Sequence, residues 1–493
     1  MGEGTLLIRA DANVSVGTGH VMRCLALAQA WQDSGGDAVF AVAEIPSAIE
    51  QRLAGEGFSI VRMPEPAGGA EDADATVRAA HECGAVWVVI DGDRFDVGFL
   101  QGVKAGRSRV LLFDDFGERE SFPADLILNP NSNAIEEPYR KGGSVTPLLL
   151  GESYVMLRRE FASWRGERIL PEKASKVLVT LGGSDPDNLT PKIAEALGHL
   201  AGYEITVIAG PGYPYLRQLE QAGPPNVRVV FNAKNMRELM EQADLAVIAA
   251  GGTLWELLYM QCVTLSYARN PVQSKIVQEL AEKGAVHNMG ATIDFDGSAL
   301  ATTVNELGRS KKMRRQMTNL GRQVVDGKGA SRVLQALKEN GAGAVEMLPV
   351  SAAERGEFLQ MAEQHFRDLN LDFVPKADWT ESYFEGIQSN PDYFLRWIMA
   401  DGQRAGFILF GFEKHRFLPR TTGNIFEVYV RPSHRRRGLA RRCAQMAIDE
   451  LEKRGPSKIQ LEVVQGNPGA TALWLSMGFR KVSERYILAR AKK

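Results

Sequence analysis

Two doubly wound α/β domains with parallel sheets, followed by a smaller α+β module, are what this chain of 493 residues predicts. Three observations carry the expectation. Short β-branched runs alternate with helical stretches from residue 5 to about 340, with little strict polar–apolar alternation, the pattern of strands buried on both faces. The runs fall into two series of five, separated by an irregular segment. Beyond Gly341-Ala342-Gly343-Ala344 the order changes to helices first and strands after.

The first series places strands at 5–9, 38–42, 58–61, 86–90 and 109–113, and the second at 176–181, 204–209, 227–230, 244–248 and 263–267. Between them, Asn129-Pro130-Asn131-Ser132-Asn133 and the Arg-rich stretch 158–168 break the pattern, so the segment from about 130 to 172 is read as the join. Two such domains face each other across a cleft, with ligands held outside the carboxyl ends of the strands. A linker is expected at 341–349. After it come helices at 352–369 and 378–388, strands at 393–400, 404–411 and 424–430, a helix at 438–454, a strand at 458–464, and a closing helix and strand. The domains are therefore placed at 1–150, 151–341 and 345–493.

A chain of this length exceeds what one hydrophobic core serves. Its 44% hydrophobic and 24% charged residues, with a formal charge of −2, are those of an ordinary globular protein without general attraction to nucleic acid or membrane. Cys24, Cys83, Cys262 and Cys443 are scattered without C-x-x-C spacing, and no signal-peptide pattern opens the chain, which reads as a reduced cytoplasmic protein. No apolar run approaches the roughly 20 residues that span a bilayer. The seven histidines form no metal-ligating pair, so no metal is expected.

Candidate chemistry begins at Gly17-Thr18-Gly19-His20, where the strand Leu6-Leu7-Ile8 gives way to an amphipathic helix from Val21 to Trp31. A helix N-terminus offers unpaired N–H groups and a favourable dipole to an anion. His20 either caps a turn or serves as a general base, a task its ordinary pKa near 6.5 suits. Gly17 and Gly19, which permit close backbone approach, together with Asp11, Asn13 and Arg23 nearby, favour the second reading. In the second half, Leu181-Gly182-Gly183-Ser184-Asp185 ends a strand before a helix near Asn188. Ala249-Ala250-Gly251-Gly252-Thr253 leads into another helix that carries Glu256. Each turn alone is a weak signal. Paired in one domain, with a carboxylate one turn into the second helix to accept from ribose hydroxyls, they point to a nucleoside diphosphate.

In the third module, Val430-Arg431-Pro432-Ser433-His434-Arg435-Arg436-Arg437-Gly438-Leu439-Ala440 lies between a strand and a helix. Five arginines within 435–442 read as a solvated basic face, as a nucleic-acid patch, or as the rim of a phosphate loop. Gly438 and Ala440, small where backbone would meet a ligand, and the helix that follows favour a pyrophosphate loop. Glu427, on the strand before the loop, is either a proton acceptor or a carboxylate facing solvent.

The ordered set Arg9-Ala10-Asp11, Gly17-Thr18-Gly19-His20, Arg23, Phe113-Asp114-Asp115, Leu128-Asn129-Pro130-Asn131, Tyr154-Val155-Met156-Leu157-Arg158, Leu181 to Asp185 and Asn188 resembles the UDP-sugar hydrolases of pseudaminic acid biosynthesis and their spore-coat polysaccharide relatives. The resemblance spans nearly all of 5–335. It implies a glycosyltransferase-B-like fold, with UDP on the second half, the sugar facing the first, and metal-free attack of water on the anomeric carbon of UDP-2,4-diacetamido-2,4,6-trideoxy-β-L-altropyranose. It further implies that His20 is catalytic, that Asn270 is a polar active-site group, and that Gly252, Thr253 and Glu256 belong to the UDP turn. One departure stands out: the family follows the Asp after the strand Val86 to Ile90 with His-Tyr, whereas this chain reads Asp91-Gly92-Asp93-Arg94.

The third module resembles the GNAT N-acetyltransferases through Arg435, Gly438, Ala440, Asn467, Ala470, Trp474 and Gly478-Phe479. This implies acetyl-CoA as co-substrate, its pyrophosphate on the N–H groups around Arg435 to Ala440, and direct transfer to an amine. Asn467 would contact the pantetheine or position the closing helix. Trp474 stands where many members carry an acidic tyrosine, and Tyr486 is the candidate replacement. In the pathway this resemblance points to, acetylation of a 4-amino UDP-sugar precedes hydrolysis, so one chain would run consecutive steps. Two other readings stay open: a glycosyltransferase using the same cleft, separable by turnover in water without an acceptor, and a module that only presents a nucleotide sugar to the acetyltransferase.

Overall fold

The run Thr5–Ala10, buried from Leu6 onward, forms β1 of a parallel sheet in the computed structural model of the chain, which describes residues 4–106, 108–143, 146–217, 219, 224–340, 345–369, 378–400, 402–414, 421–435, 438–464 and 467–482. β2 (Asp37–Val42) and β4 (Ala85–Asp91) flank it. β3 (Ser59–Arg62), β5 (Arg109–Phe113), β6 (Leu126–Asn129) and β7 (Leu148–Leu150) complete the order β3-β2-β1-β4-β5-β6-β7. The second sheet joins β8 (Lys176–Thr180), β9 (Glu204–Ala209), β10 (Val227–Phe231), β11 (Leu245–Ala249), β12 (Val263–Ala268) and β13 (His287–Ala291). Its order is β10-β9-β8-β11-β12-β13.

All pairings in both sheets are parallel. In each, the chain leaves the central strand in one direction and returns on its other side, between β1 and β4 and between β8 and β11. Loops at the carboxyl ends of those strands diverge there and open a crevice. Both sheets lie in one compact unit, Met1–Ala336. They form a pair of doubly wound, Rossmann-type sheets.

A second unit, Leu337–Lys493, is built on β14 (Val345–Pro349), β15 (Tyr393–Ala400), β16 (Gln403–Lys414), β17 (Thr421–Val430) and β18 (Ile459–Leu461). The first four pair antiparallel, and β18 adds to β17 in parallel. One face packs Phe358 and Phe384 of the helices Arg355–Asp368 and Trp379–Gln388 onto Trp397 and Phe407. The other packs Cys443, Ala447 and Trp474 of the helices Leu439–Glu452 and Pro468–Ser476 onto Ile398 and Ile408.

Two expectations are corrected. The first sheet has seven strands and the second six, where five each were expected. β7 holds three residues inside the presumed join, and β13, His287-Asn288-Met289-Gly290-Ala291, carries no β-branched residue, so neither shows a strand signature. The linker does not run to residue 349, because 345–349 pairs with β15 as an edge strand. The closing strand lies outside the described residues.

Candidate active sites

In the first unit, β1 delivers the chain at Ala10 into a loop fixed by charge. Arg9, fully buried, donates to Asp72 at 2.9 Å and to Asp11 at 2.9 Å. Asp11 Oδ1 also accepts from Ala43 N–H at 2.7 Å, whereas its Oδ2 is buried without a partner in the structure. Asn13 Oδ1 then accepts from Ser15 and Val16 N–H, and Gly17 turns the chain at φ +81°. The helix Gly19–Asp33 follows, its N-cap Thr18 making no side-chain cap, with His20 in the first turn.

Strand register supplies His20's partner. Ala10 of β1 pairs with Asp91 of β4, so the Asp91 carboxylate, wholly buried, lies beneath the start of that helix. Asp91 Oδ1 is 2.6 Å from His20 Nδ1 and also accepts from Arg23 Nη2 at 2.6 Å; Oδ2 accepts from Arg23 Nε at 2.6 Å. Arg23 reaches Asp115 at 2.9 Å and lies over the Phe113 ring at 4.9 Å. A carboxylate can only accept, so His20 carries its proton on Nδ1 and leaves Nε2 as the basic nitrogen. Burial opposes protonation of His20, but the charge and hydrogen bond of Asp91 more than reverse it, and the pKa is raised above the ordinary value. Burial likewise opposes ionisation of Asp91, and Arg23 together with His20 overcomes it, holding the carboxyl far below its usual range.

The second half faces this centre with two glycine turns. Gly182 follows β8 at φ +89°, and Gly183 abuts the first half so closely that a Cβ on it would lie 2.4 Å from Thr18 Oγ1. Asp185 accepts from Thr190 N–H at 2.8 Å and so ties the turn to the helix Thr190–Gly198. The helix Gly252–Tyr259 begins after Gly251 with no side-chain cap, and a Cβ on Gly251 or Gly252 would meet nothing within 4 Å. Gly251, Gly252 and Thr253, at the start of this helix, line the space in front of it.

Between these turns and His20 is a cavity of about 680 Å³, lined by Gly19, His20, Gly182, Gly183, Gly252, Thr253 and Glu256 among others. A second space of about 460 Å³ lies behind His20, lined by Asp11, Asp91, Asp93, Arg94, Asn270 and Gln273. His20 and Asn270 border both. Asn270 is also the N-cap of the helix Pro271–Glu282, its Oδ1 accepting from Gln273 N–H at 2.9 Å.

Glu256, expected to accept from ribose hydroxyls, lines the large cavity and is also paired. Arg158 grips both its oxygens, at 2.8 and 3.0 Å, with both side chains largely buried. Arg23 likewise is occupied in holding carboxylates. Asp91, Asp115 and Arg158 are the site residues the sequence left without a role. A carboxylate at the end of the strand next to β1 was the available signal, but it needs the strand order to be read.

In the second unit, β17 pairs with β18 only over Gly423 to Ile425, and its register against β16 shifts at Phe426. From Phe426 onward the side of β17 toward β18 has no strand partner among the described residues, so the two strands splay apart there. Glu427 follows this bulge, both carboxylate oxygens 2.7 Å from the Tyr383 hydroxyl. Burial pushes its pKa up to about 7, against the opposing hydrogen bond from Tyr383.

Past β17, Arg435 is an anchor of the loop: its Nε donates to Val430 C=O at 2.8 Å, it pairs with Asp368, and it lies over the Tyr429 ring. Gly438 has φ +70°, and a Cβ on it would lie 2.5 Å from Glu339 Cα, a chain-packing requirement beyond the ligand clearance read from sequence. Leu439 is buried and, with Ala440, opens the helix Leu439–Glu452, which has no side-chain cap. Asn467 caps the helix Pro468–Ser476, accepting from Ala470 N–H at 3.0 Å, so it positions the closing helix. Trp474 is buried against Phe479 as core. Arg436, Arg437 and Tyr486 lie outside the described residues. Among the described residues, no three His, Cys, Asp or Glu side chains are grouped to hold a metal. No described helix is long and apolar enough to cross a membrane.

Two glycine turns at a switch point thus lie opposite a carboxylate-held histidine in the first unit, and the second unit sets a strand edge without a described partner beside a helix without a side-chain cap. Residues 359–479 match the Acetyltransferase (GNAT) family. The [ribosomal protein bS18]-alanine N-acetyltransferase of Escherichia coli K12 is 43% identical over 107 residues, 22% of this chain and 68% of that protein. Through this segment the chain belongs to the GNAT acetyltransferase family. The UDP-2,4-diacetamido-2,4,6-trideoxy-β-L-altropyranose hydrolase of Campylobacter jejuni is 25% identical over 290 residues, 57% of this chain and 97% of that enzyme. The spore coat polysaccharide biosynthesis protein SpsG of Bacillus subtilis is 25% identical over 241 residues, 47% of this chain and 70% of that protein. The chain spans 58% of the length of another curated relative that it matches. It is thus a nucleotide-sugar enzyme homologue joined to a GNAT domain.

Proposed function

We propose that the chain hydrolyses a UDP-linked 2,4-diacetamido-2,4,6-trideoxy sugar to UDP and free sugar, and that its GNAT domain acetylates the 4-amino group of the precursor of that sugar. The observation that carries the first half is the Asp91–His20 pair on the border of the large cavity. His20 Nε2 takes a proton from water, whose oxygen bonds to the anomeric carbon as the bond from that carbon to the phosphate oxygen breaks. UDP leaves with the electron pair, on the N–H groups beginning the helix Gly252–Tyr259 and on the Gly182–Gly183 turn. Asn270, Asp11 and Asp93 border the space left for the sugar. The likeness to the Campylobacter jejuni hydrolase over nearly its whole length favours this substrate class.

In the GNAT domain, the uncapped helix after Gly438 and the unpaired edge of β17 fit acetyl-CoA, which supplies the thioester. Arg435 holds the loop in shape, and Glu427 accepts a proton from the incoming amine. The Escherichia coli relative, named for an alanine of a ribosomal protein, favours a second acceptor, a peptide α-amine.

One experiment separates these readings. The full chain is incubated with acetyl-CoA and either a UDP-linked 4-amino sugar or an alanine-initiated peptide, and products are read by mass. Acetylated free sugar with UDP supports the two-step reading. Acetylation of the peptide alone assigns the GNAT domain elsewhere, and UDP release only when a sugar acceptor is added marks a glycosyltransferase.

A further inference from the structure

Glu427 lies beside the splayed edge of β17, and both of its oxygens are approached by a single phenol. Tyr383 sits on the helix Trp379–Gln388, and its ring stacks on Trp379 (centroids 5.4 Å, planes 12° apart) and on Phe358 (5.9 Å, 13°). The ring is fixed by aromatic packing, so the hydroxyl has little freedom except to point at Glu427, 2.7 Å from each oxygen. Across β16 the residue opposite Glu427 is apolar, Leu409.

Three titratable side chains on the packed elements, His365, Tyr393 and Tyr429, are neutral at neutral pH. His365 on the helix Arg355–Asp368 packs on Tyr429, and burial pushes its pKa down to about 4. Tyr393 on β15 packs on Phe426, and it and Tyr429 are raised by burial. The charged pair Arg435–Asp368 is engaged with itself.

We propose that Tyr383 is a positioning residue for acetyl transfer: its hydroxyl holds the Glu427 carboxylate in the ionised, correctly aimed form that accepts the amine's proton. This rests on the reading of Glu427 as proton acceptor. An acceptor R–NH₃⁺ gives one proton to Glu427, directly or through one water, and its nitrogen bonds to the thioester carbonyl carbon. The C–S bond then breaks, and a second N–H proton leaves with the sulfur as the CoA thiol. The amide keeps the third, and Glu427 returns its proton to solvent. A phenol that donates to the ionised carboxylate lowers its proton affinity. Without it, Glu427 would stay protonated to higher pH and the amine would lack its acceptor.

The test uses the full chain as wild type, Tyr383→Phe, which keeps the stacked ring, and Glu427→Gln. Two readouts are combined: infrared pH-difference spectra of the protonated-carboxyl band that Glu427→Gln removes, and the pH profile of kcat/KM for CoA release with a UDP-linked 4-amino sugar or an alanine-initiated peptide. In Tyr383→Phe both the infrared midpoint and the acid limb are expected to move up by about one pH unit. The KM for acetyl-CoA is expected to be unchanged. An unmoved infrared midpoint overturns the proposal whether or not either acceptor is used. A moved midpoint with an unmoved acid limb, or a uniform loss of rate at every pH, overturns it too, since the hydroxyl then has only a structural part. Full activity in Glu427→Gln defeats the reading of Glu427 itself, separately from Tyr383.

Discussion

Asp91→Asn keeps the shape of the buried side chain and removes its charge. Asp91 accepts from His20 Nδ1 and from Arg23 Nη2 on one oxygen and from Arg23 Nε on the other, each at 2.6 Å. An amide offers one oxygen and one NH₂. If the oxygen faces His20, the NH₂ is driven against the Arg23 Nε–H; if it is turned round, the NH₂ faces His20 Nδ1 and selects the tautomer with the proton on Nε2, which is no base. Either way kcat/KM for UDP release should fall by about 10²- to 10⁴-fold, the range for a misoriented general base. Removing one partner of a buried ion pair costs about 3–5 kcal/mol. Arg23 retains Asp115 at 2.9 Å, so the lower end, about 3 kcal/mol, is expected in denaturant unfolding.

The pH dependence has a definite sign. With Asp91 gone, burial and the Arg23 charge both lower the His20 pKa, so the acid limb of kcat/KM moves to lower pH than in the wild type. For stability, the raised His20 pKa contributes fully below its ordinary 6.5 and is lost as pH rises through the folded value. The depressed Asp91 pKa contributes above its ordinary 3.8 and is lost as pH falls toward the folded value. The stability gap between wild type and variant is therefore widest between about pH 4 and 6.5. Wild-type UDP release by Asp91→Asn, with an unmoved acid limb, would refute the dyad.

Glu256→Gln should weaken UDP-sugar binding because Arg158 loses its bidentate partner, while acetyl-CoA affinity, measured by calorimetry on the same protein, stays unchanged. Equal loss of both affinities would contradict the assignment of the two ligands to separate units. Gly183→Val should cut UDP release by about tenfold or more, because its side chain must displace Thr18, 2.4 Å from an added Cβ. Adding Thr18→Gly should recover part of that loss. No recovery would mean that the close approach of the two loops has no bearing on catalysis.

The ten parallel strands read from sequence all formed, within a residue or two, because strands buried inside parallel sheets are continuous apolar runs punctuated by loops, and the edge strands β3 and β10, although not buried, carry β-branched residues. What stayed hidden depended on pairing partners. β14 looked like linker because it is five residues long, ends in Pro349 and directly follows Gly341-Ala342-Gly343-Ala344, and β7 is three residues long. His20 and the glycine turns stood out because local backbone demands specify them. Asp91 did not, since its part comes from the β1–β4 register and from a helix packed above it. Glu256 and Arg435 were visible as charges, but their partners, Arg158 and Asp368, lie 98 and 67 residues away along the chain. Gly438 was legible as glycine, whereas its clash with Glu339 needed the fold.

The central claim is that His20 directs water to the anomeric carbon of a UDP-sugar, and isotope placement tests it most directly. The full chain is turned over with UDP-2,4-diacetamido-2,4,6-trideoxy-β-L-altropyranose in water labelled with heavy oxygen, and both products are weighed at once by mass spectrometry. The account predicts one heavy oxygen in the free sugar and none in UDP, with His20→Ala slowing this labelling by about 10²-fold or more. Heavy oxygen in the β-phosphate of UDP, or unimpaired labelling in His20→Ala, would contradict it.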